Sequence, residues 1–335
     1  MRTAIVVGPG FDAIWPFAAD RLEALLAPTV DVRLTRIPEG APLADGLTDP
    51  AGVERLIALG VPVGAGDLDA LPSLVEACVT GGYSRDDAAE VLDARGIRRL
   101  GQRSEGFWGQ SVSEFALGLT LGALRRIPQT HHAILTSLTP WEYPRQQYGD
   151  DSRFTNGTLE GKRVRIVGAG NIASRYASFA HALGADVAAW DPFASEPSFH
   201  RAGARREQHL DRLIDDAEIF VPMVPLTPST EGLITAAHIE RIPHGALVVL
   251  ATRAGICDMP ALRRRVLADE LALAADVFDV EPLPLDDPLL GRDNVVHTPH
   301  NAGRTKESNF RWAEMLAEQL PAFDRSASGS PPPVR

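Results

Sequence analysis

The sequence predicts an α/β protein in which two domains each contain a parallel β-sheet. Three observations lead to this fold class. The chain has 335 residues, which is enough for two domains with cores of their own. Short apolar runs alternate with segments of helical periodicity in both halves of the chain, as in doubly wound sheets. One such unit, residues 161–192, has a glycine-rich turn between its first strand and its helix.

The unit at 161–192 has the pattern of a dinucleotide-binding βαβ segment. An apolar strand is followed at once by Gly168-x-Gly170-x-x-Ala173, and the strand after the helix closes with Asp191. Gly168 permits the turn, Gly170 lets a pyrophosphate approach the helix N-terminus, and Asp191 would accept hydrogen bonds from the adenosine ribose. The alternative, an ordinary turn, would be favoured by a bare glycine pattern, but strand, helix and terminal acid together favour nucleotide binding.

Residues 1 to about 105 are predicted to form a βα domain without such a fingerprint. The expected elements are strand 3–7, helix 20–27, strand 30–37, helix 49–59, strand 61–63 and strand 74–80. A second glycine pattern, Gly8-x-Gly10-x-x-Ala13, follows the first strand. It is not interpreted as a nucleotide site, because Asp31 opens the next strand instead of closing it.

The second half of the chain begins with a long apolar helix and continues as a parallel sheet. Ser111-Val-Ser-Glu114 reads as a capping box before a helix that is apolar nearly all round, which suits burial or a subunit interface. The elements expected after the fingerprint are strand 218–221, helix 236–241, strand 247–250, helix 260–267, strand 271–277 and strand 295–297. A last helix, 309–323, can return to the first domain, and residues 326–335 should be a disordered tail.

Composition narrows the class of partner and the compartment. The net charge of −11 argues against nucleic acid or an anionic membrane as a partner. The two cysteines form no metal-binding spacing, so no metal site is expected and a reducing compartment is the default. No stretch has the length of a transmembrane helix, and the start of the chain does not resemble a signal peptide, so a cytoplasmic location is expected.

Three polar residues follow successive strands of the predicted second sheet. They are Arg253, Glu281 and His300, and the carboxyl ends of parallel strands are where such sheets bind ligands. Each alone is more simply a loop residue, but together they suit a nicotinamide dehydrogenase. Histidine can donate a proton near neutral pH, arginine can hold an anionic substrate with its planar fork, and a carboxylate can orient the histidine ring.

These residues lie in motifs that resemble the D-isomer-specific 2-hydroxyacid dehydrogenase family, in its phosphoglycerate dehydrogenase-like form. The motifs run in family order and spacing as Gly-x-Gly-x-x-Ala with Trp-Asp-Pro at 168–192, Val-Pro-Leu-Thr-Pro-Ser-Thr at 224–230, Ala-Thr-Arg-Ala-Gly-Ile-Cys-Asp at 251–258, Asp-Val-Phe-Asp-Val-Glu-Pro at 276–282 and Thr-Pro-His-Asn-Ala-Gly at 298–303. The resemblance implies an NAD-dependent D-2-hydroxyacid dehydrogenase acting on a small 2-oxo or 2-hydroxy acid, as a cytoplasmic homodimer.

The resemblance also implies an architecture and a set of site residues. Two Rossmann-like domains are expected: a doubly wound NAD domain, 107–305, inserted into a smaller flavodoxin-like substrate domain, 1–106 and 306–335. Arg253, Glu281 and His300 become the catalytic set, and Asp276 is expected to contact the nicotinamide carboxamide. The implied NAD-binding residues are Gly168, Gly170, Asn171, Ile172, Asp191, Val224, Pro225, Thr230, Ala251, Thr252, Arg253, Asp276, His300 and Ala302.

The substrate loops depart from the family pattern, so they leave the substrate open. The loop after the 74–80 strand reads Thr-Gly-Gly-Tyr and is expected to offer backbone N–H groups to a substrate carboxylate. The residues expected to bind substrate are Gly81, Gly82, Tyr83, Arg103, Trp108, Arg253 and His300. The alternatives are that aromatics such as Trp108 fill the core, that the chain is a phosphoglycerate- or phosphite-type dehydrogenase, or that it is a non-catalytic NAD-sensing protein. Formate is disfavoured, because that branch carries glutamine where Glu281 stands.

Overall fold

A computed structural model describes residues 1–81, 88–101, 106–142 and 151–320. The expected tail at 326–335 and the candidate residues Gly82, Tyr83 and Arg103 lie outside these ranges. The chain divides into two compact units. The first contains Met1–Phe107 and the chain from Arg304 onward, and the second is Trp108–Gly303.

The first unit contains a parallel sheet with the strand order β2-β1-β3-β4-β5. Its elements in the first segment of the chain are β1 (Arg2–Val7), α1 (Pro9–Ile14), α2 (Ala18–Leu26), β2 (Asp31–Arg36), β3 (Arg55–Leu59), α3 (Ala65–Asp69), β4 (Glu76–Thr80), α4 (Ala89–Ala94) and β5 (Arg98–Leu100), with short 3-10 helices at Leu43–Gly46 and Pro50–Gly52. The core side chains come from the apolar positions of β1, β3 and β4, which are buried throughout the described sheet.

The predicted helix at 49–59 and strand at 61–63 are wrong, because residues 55–59 form β3. Arg55, at the start of this strand, is fully buried and pairs with Glu76 at the neighbouring position of β4. Glu76 also accepts a hydrogen bond from Arg98 Nε on β5 at 2.9 Å. Arg55 can therefore begin an interior strand, because the carboxylate of Glu76 stands beside it on β4.

The second unit contains a parallel sheet with the strand order β12-β11-β10-β9-β6-β7-β8. The elements of this unit are α5 (Gly109–Leu124), α6 (Ile127–Ala133), β6 (Arg163–Val167), α7 (Asn171–Ala182), β7 (Asp186–Trp190), α8 (Glu196–Arg201), β8 (Arg205–Arg206), α9 (Leu210–Asp215), β9 (Ile219–Pro222), α10 (Ala236–Arg241), β10 (Leu247–Leu250), α11 (Met259–Leu267), β11 (Ala272–Ala275) and β12 (Val295–His297), with 3-10 helices at Thr139–Trp141 and Ala254–Ile256. A further 3-10 helix, Gly106–Trp108, begins in the first unit and ends at the first residue of the second. The chain order reverses between β6 and β9, which is where doubly wound sheets bind ligands.

These two parallel sheets, with helices between their strands, confirm the predicted α/β fold class. The last helix, α12 (Lys306–Ala317), begins earlier than predicted, because the hydroxyl of Thr305 caps it by accepting a hydrogen bond from Ser308 N. It packs on α2 of the first unit, where Arg21 Nη2 lies 2.7 Å from Glu314 Oε1. Among the described residues, no helix has the length and apolar character to cross a membrane.

The predicted capping box at Ser111 and Glu114 is wrong. The N-cap of helix α5 is Trp108, three residues before Ser111, and no side chain forms a capping hydrogen bond there. Farther along α5, the Thr120 hydroxyl lies 2.9 Å from the hydroxyl of the fully buried Tyr176 on α7. Burial raises the pKa of Tyr176, so this phenol stays neutral and the contact fixes α5 against α7.

Candidate functional site

Gly168 forms the turn between β6 and α7, and no other residue fits there without movement. Its φ of +111° lies in the region that favours glycine. A Cβ built on it would fall 3.0 Å from the carbonyl oxygen of Met223, on the loop after β9. The Gly168 N–H donates to the carbonyl of Trp190 at 2.7 Å, which ties the turn to the end of β7. The turn is thus fixed at the point where the strand order reverses.

The space in front of α7 is open and suits an anion. Gly170 is the N-cap of this twelve-residue helix, and no side chain caps the helix there. A Cβ built on Gly170 would meet no atom of the described residues within 4 Å. The protein itself would therefore tolerate a side chain there, and the glycine leaves open space in front of the helix. Asn171 and Ile172 follow in the first turn, and Ala173 is buried against the core. These features fit the pyrophosphate of a dinucleotide.

Asp191 lies beside the glycine turn at the end of β7. Its Oδ2 accepts a hydrogen bond from Ala169 N at 2.9 Å, and its Oδ1 accepts from Phe193 N at 2.9 Å and Ala194 N at 3.1 Å. A carboxylate has about four lone-pair positions, so these bonds leave capacity for a ribose hydroxyl. Asp191, the residue predicted to bind the ribose, therefore also stabilises the conformation of the glycine turn.

The loops after β9 and β10 carry the next group of predicted cofactor residues. Thr230 closes the first loop, since its hydroxyl donates to Pro225 O at 2.5 Å and accepts from Thr227 N at 2.8 Å. In this loop Val224 packs on the core. After β10, Ala251 and Thr252 are buried. The first loop follows β9, which pairs with β6, and the second follows β10, which pairs with β9. All these strands are parallel, so both loops border the same edge of the sheet as the glycine turn.

The three predicted catalytic residues follow neighbouring strands of the same sheet. Arg253 comes three residues after the end of β10, Glu281 follows β11 and His300 follows β12. Arg253 is half-buried, and its Nη1 donates to the carbonyl of Thr252 at 2.7 Å. The parallel order β10-β11-β12 puts all three loops at one edge.

Glu281 and His300 are in direct contact. Glu281 Oε2 lies 2.6 Å from His300 Nδ1, and Glu281 Oε1 accepts a hydrogen bond from Phe278 N at 2.8 Å. Because Nδ1 is occupied by the carboxylate, Nε2 is the ring nitrogen that can face a reactant. The two side chains are 34% and 41% exposed, so the pair is accessible to a small molecule.

Asp276 holds the loop that carries His300. Its buried carboxylate accepts hydrogen bonds from Thr298 Oγ1 at 2.7 Å, Asn301 N at 3.0 Å and Ala302 N at 2.9 Å. Both its oxygens bond residues 298–302, so the structure shows an anchor for the histidine loop. The expected contact of Asp276 with the nicotinamide carboxamide stays a prediction.

The predicted substrate residues are only partly described. Gly81 directly follows β4 in the first unit, and Gly82, Tyr83 and Arg103 are not described. Trp108 is half-buried and packs against Gly303, three residues after His300. Such packing is predicted by the alternative to substrate binding, in which aromatic side chains such as Trp108 fill the core. Among the described residues, no cluster of His, Cys, Asp or Glu is arranged to hold a metal ion.

Two residues that shape the histidine loop were missed as site residues: Thr298, which begins the loop and bonds Asp276, and Ser111, which contacts the loop from α5. Thr298 lies inside the Thr-Pro-His-Asn-Ala-Gly motif, so its position beside His300 was available from the sequence. Ser111 donates its hydroxyl hydrogen to the carbonyl of Ala302 at 2.5 Å, across 191 residues of chain. No local pattern marks such a contact.

Comparison with known proteins finds a family model and relatives that match this chain. Residues 117–302 match the family model described as D-isomer specific 2-hydroxyacid dehydrogenase, NAD binding domain. A D-3-phosphoglycerate dehydrogenase of Archaeoglobus fulgidus is 34% identical over 63% of this chain and 38% of its own length. A glyoxylate reductase of Thermofilum pendens is 32% identical over 80% of this chain and 76% of its own length. The chain thus spans well under half of that phosphoglycerate dehydrogenase but most of the glyoxylate reductase.

Solved structures share the fold across nearly the whole chain. A D-mandelate dehydrogenase of Rhodotorula graminis is 22% identical and superposes with a TM-score of 0.72 over 95% of this chain and 93% of that one. A D-lactate dehydrogenase of Treponema pallidum is 20% identical, with a TM-score of 0.71 over 95% and 94% of the two chains. At this identity, the likeness concerns the fold alone.

Proposed function

The chain belongs to the D-isomer specific 2-hydroxyacid dehydrogenase family, and from this premise we propose that it interconverts a 2-oxo acid and the D-2-hydroxy acid with NAD(H) as cofactor. Its NAD-binding domain is the part that the family model matches. The observation that carries the proposal is the Glu281–His300 pair, with 2.6 Å between carboxylate and ring nitrogen, at the ligand-binding edge of the sheet.

In this proposal each catalytic residue acts at a defined atom. When bound, NADH would supply the hydride that the carbon of the oxo group takes up. His300 gives the proton on Nε2 to the oxygen that becomes the hydroxyl, and Glu281 stabilises the protonated ring through Nδ1. The guanidinium of Arg253 holds the carbonyl oxygen and the substrate carboxylate, because its N–H groups form a planar fork that fits both. In the oxidative direction, neutral His300 takes up the proton of the hydroxyl.

The residues around the glycine turn hold the cofactor. The N–H groups at the start of α7 meet the pyrophosphate, and Gly170 leaves the room for it. Asp191 binds the ribose while keeping its bonds to the turn. The loops at 224–230 and 251–253 complete the edge of the pocket, together with Ala302.

The test is a panel of 2-oxo acids with NADH, followed at the nicotinamide absorbance. The names of the relatives make glyoxylate and 3-phosphohydroxypyruvate the first substrates to try, followed by pyruvate and hydroxypyruvate. We expect turnover of at least one of these 2-oxo acids. The reverse reaction, oxidation of the corresponding D-2-hydroxy acid by NAD, should be observed at high pH. If NADH binds but no acid is reduced, the protein is an NAD-sensing protein and this proposal fails.

We assign substrate choice within this class to the loops at Gly81–Tyr83 and Arg103–Trp108 of the sequence. A phosphorylated substrate requires a second cation, and Arg103 is the candidate. Trp108 is less suited to face the substrate, since it packs against Gly303. Replacement of Arg103 by alanine should therefore lower kcat/KM most for acids with a second anionic group.

We further propose that the protein acts as a homodimer. Five large apolar side chains of one continuous stretch, α6 and the residues after it, are 43–78% exposed: Ile127, Ile134, Leu135, Leu138 and Trp141. A monomer rarely exposes so many together. A second copy of the chain is the partner that fits, and sedimentation of wild type and of the Leu138→Lys and Trp141→Lys variants tests it. A monomeric wild type would contradict the proposal.

We place the protein in the cytoplasm. Cys78 and Cys257 are both buried and form no disulfide, which suits a reducing compartment. Burial raises the pKa of the Cys257 thiol to about 12, so this residue stays a neutral core side chain. Fractionation of the cells that make the protein tests the location.

A further inference from the structure

Ser111 stands in the first turn of α5, but it is bonded to a different part of the chain. Its hydroxyl donates to the carbonyl of Ala302 at 2.5 Å. The N-cap of α5 is Trp108, so Ser111 does not serve the helix end on which it lies. A hydroxyl placed there is free to hold the histidine loop.

The peptide groups of Ala302 are held from both sides. Its N–H donates to Asp276 Oδ2 at 2.9 Å, and its carbonyl accepts from Ser111. Ala302 is itself buried, so neither bond is easily exchanged for one to water. Asp276, directly after β11, and Ser111 on α5 thus fix the end of the histidine loop between them.

His300 lies two residues before this fixed point, in an unusual backbone conformation. Its φ is +53°, in the left-handed region that residues with a side chain rarely adopt. Such a conformation persists only where the surroundings hold it. Asn301 N, the next residue's amide, is bonded to Asp276 Oδ1 at 3.0 Å, so the conformation of His300 depends on the anchors that follow it.

We propose that Ser111 is a positioning residue for His300, which rests on the proposed function for its catalytic meaning. Its bond to Ala302 keeps residues 298–302 in the one arrangement that aims the His300 ring with Nδ1 on Glu281. Loss of the bond lets the loop end shift. The ring is then aligned in only part of the molecules, and proton delivery slows while the cofactor residues around Gly168 stay in place.

The first test compares Ser111→Ala with Ser111→Thr and with Thr120→Val as the matched control. Thr120 lies on the same helix, and its hydroxyl also makes a buried bond, 2.9 Å to Tyr176, but at a distance from the histidine loop. Ser111→Ala should lower kcat about 10-fold, a part of the roughly 10²- to 10⁴-fold that a general acid contributes. It should leave the KM for NADH within about twofold and raise the solvent isotope effect on kcat, because proton transfer becomes more rate-limiting.

The other two variants separate positioning from stability. Ser111→Thr keeps the hydroxyl and should recover most of kcat. Thr120→Val should lower the thermal midpoint at least as much as Ser111→Ala, with kcat and the solvent isotope effect unchanged. Equal effects of Ser111→Ala and Thr120→Val on kcat and on the isotope effect would overturn the proposal, as would an unchanged kcat in Ser111→Ala.

A measurement without turnover keeps this proposal separate from the proposed function. NMR of protein labelled with ¹⁵N-histidine, with the His300 signals assigned from His300→Asn, reports the state of the ring in the absence of substrate. Ser111→Ala should shift or broaden the His300 signals, and Thr120→Val should not. If the wild type reduces no 2-oxo acid, the proposed function fails, and these spectra still decide the positioning role: unchanged signals in Ser111→Ala would overturn it.

Discussion

Gly303 lies so close to the indole of Trp108 that a Cβ built on it would fall 2.9 Å from both Cδ1 and Nε1 of the ring. The contact joins the N-cap residue of α5 to the end of the histidine loop. Gly303→Ala should therefore push apart two segments that hold the site. We expect a loss of about 1–3 kcal/mol in the free energy of unfolding, the usual cost of overpacking, measured with denaturant.

Gly118→Ala is the matched control for this substitution. Gly118 lies in the interior of α5, and a Cβ there would meet nothing within 4 Å among the described residues. Alanine should stabilise the helix by about 0.5–1 kcal/mol at such a position. The two variants make the same chemical change, so opposite signs of the stability change isolate the contact with Trp108. A neutral or stabilising Gly303→Ala would show that the ring moves away without cost.

The pH dependence of stability should reflect the pairing of Asp216 with Arg165. Arg165 on β6 is only 2% exposed, and its Nε and Nη2 donate to the two carboxylate oxygens of Asp216 at 2.8 and 2.7 Å. These hydrogen bonds lower the pKa of Asp216. A lowered folded-state pKa stabilises the protein above the ordinary carboxylate value of about 4, and the stabilisation disappears as pH falls through the folded-state pKa.

Asp216→Asn should consequently lower the free energy of unfolding at pH 7, and should lower it by a smaller amount at pH 3. We expect about 1 kcal/mol at pH 7, below the usual value for a charged hydrogen bond, because Asp216 is 49% exposed and Asp186 also pairs with Arg165. The neighbouring Asp215→Asn is the control, since its partner Arg241 is 41% exposed and can be hydrated instead. A cost that is equal for both variants would mean that burial of the arginine has no influence.

The parts of the fold predicted from the sequence are those specified by neighbouring residues. Strand β10 and helix α10 were predicted with the bounds that the structure has, because turn residues flank short apolar or periodic segments there. The glycine turn was likewise predicted from neighbouring residues, because its glycines stand between an apolar strand and a periodic helix. Residues 55–59 were misassigned, since the carboxylate that makes Arg55 acceptable in a strand is that of Glu76 on β4, which Arg98 of β5 also bonds. Local patterns carry no information about such partners.

The site shows the same division between local and distant contacts. The loops that carry Arg253, Glu281 and His300 follow strands, so topology alone put them at one edge. The anchoring of the histidine loop was not predictable. Asp276 bonds residues more than twenty positions away, and Ser111 bonds Ala302 across 191 residues. The sequence around Ser111 fitted a helix cap equally well, and only the start of α5 at Gly109 excludes that role.

The cofactor preference should follow from the position of Asp191. Its carboxylate is fixed by the N–H groups of Ala169, Phe193 and Ala194, so it cannot swing away from a 2′-phosphate. Pro192 and Phe193 follow it, and no arginine is present there to bind the phosphate. We expect NADH to be preferred over NADPH by about 1–3 kcal/mol in kcat/KM. Equal kcat/KM values for the two cofactors would refute this.

Asp191→Ala should reduce the preference for NADH over NADPH. It should also lower kcat/KM for both cofactors, because the glycine turn loses the hydrogen bonds that hold it. Asp186→Ala is the control: it removes a carboxylate from the other end of β7, away from the turn, and should leave the ratio of the two cofactors unchanged. The ratio is measured from initial rates at a fixed concentration of the best 2-oxo acid. A ratio that moves equally in both variants would point to net charge and not to the site.

Removal of the proposed general acid should abolish most of the activity without releasing the cofactor. His300→Ala should lower kcat by about 10² to 10⁴, the usual contribution of a general acid. The Kd for NADH, measured by fluorescence, should change little, since the described contacts of the glycine turn and Asp191 do not include His300. A loss of NADH binding equal to the loss of kcat would assign His300 to cofactor binding instead.

Glu281→Gln tests the charge of the pair, because glutamine keeps an oxygen for Phe278 N and a group for His300 Nδ1. The carboxylate 2.6 Å from Nδ1 orients the ring and offsets positive charge on it. Glu281→Gln should therefore lower kcat about 10- to 100-fold while the Kd for NADH changes little. Asp279→Asn makes the same charge change two residues away, where the partner is Arg263 at 3.3 Å, and should leave kcat unchanged. An unchanged kcat in Glu281→Gln, or an equal loss in Asp279→Asn, would break the assignment of Glu281 as the partner of the acid.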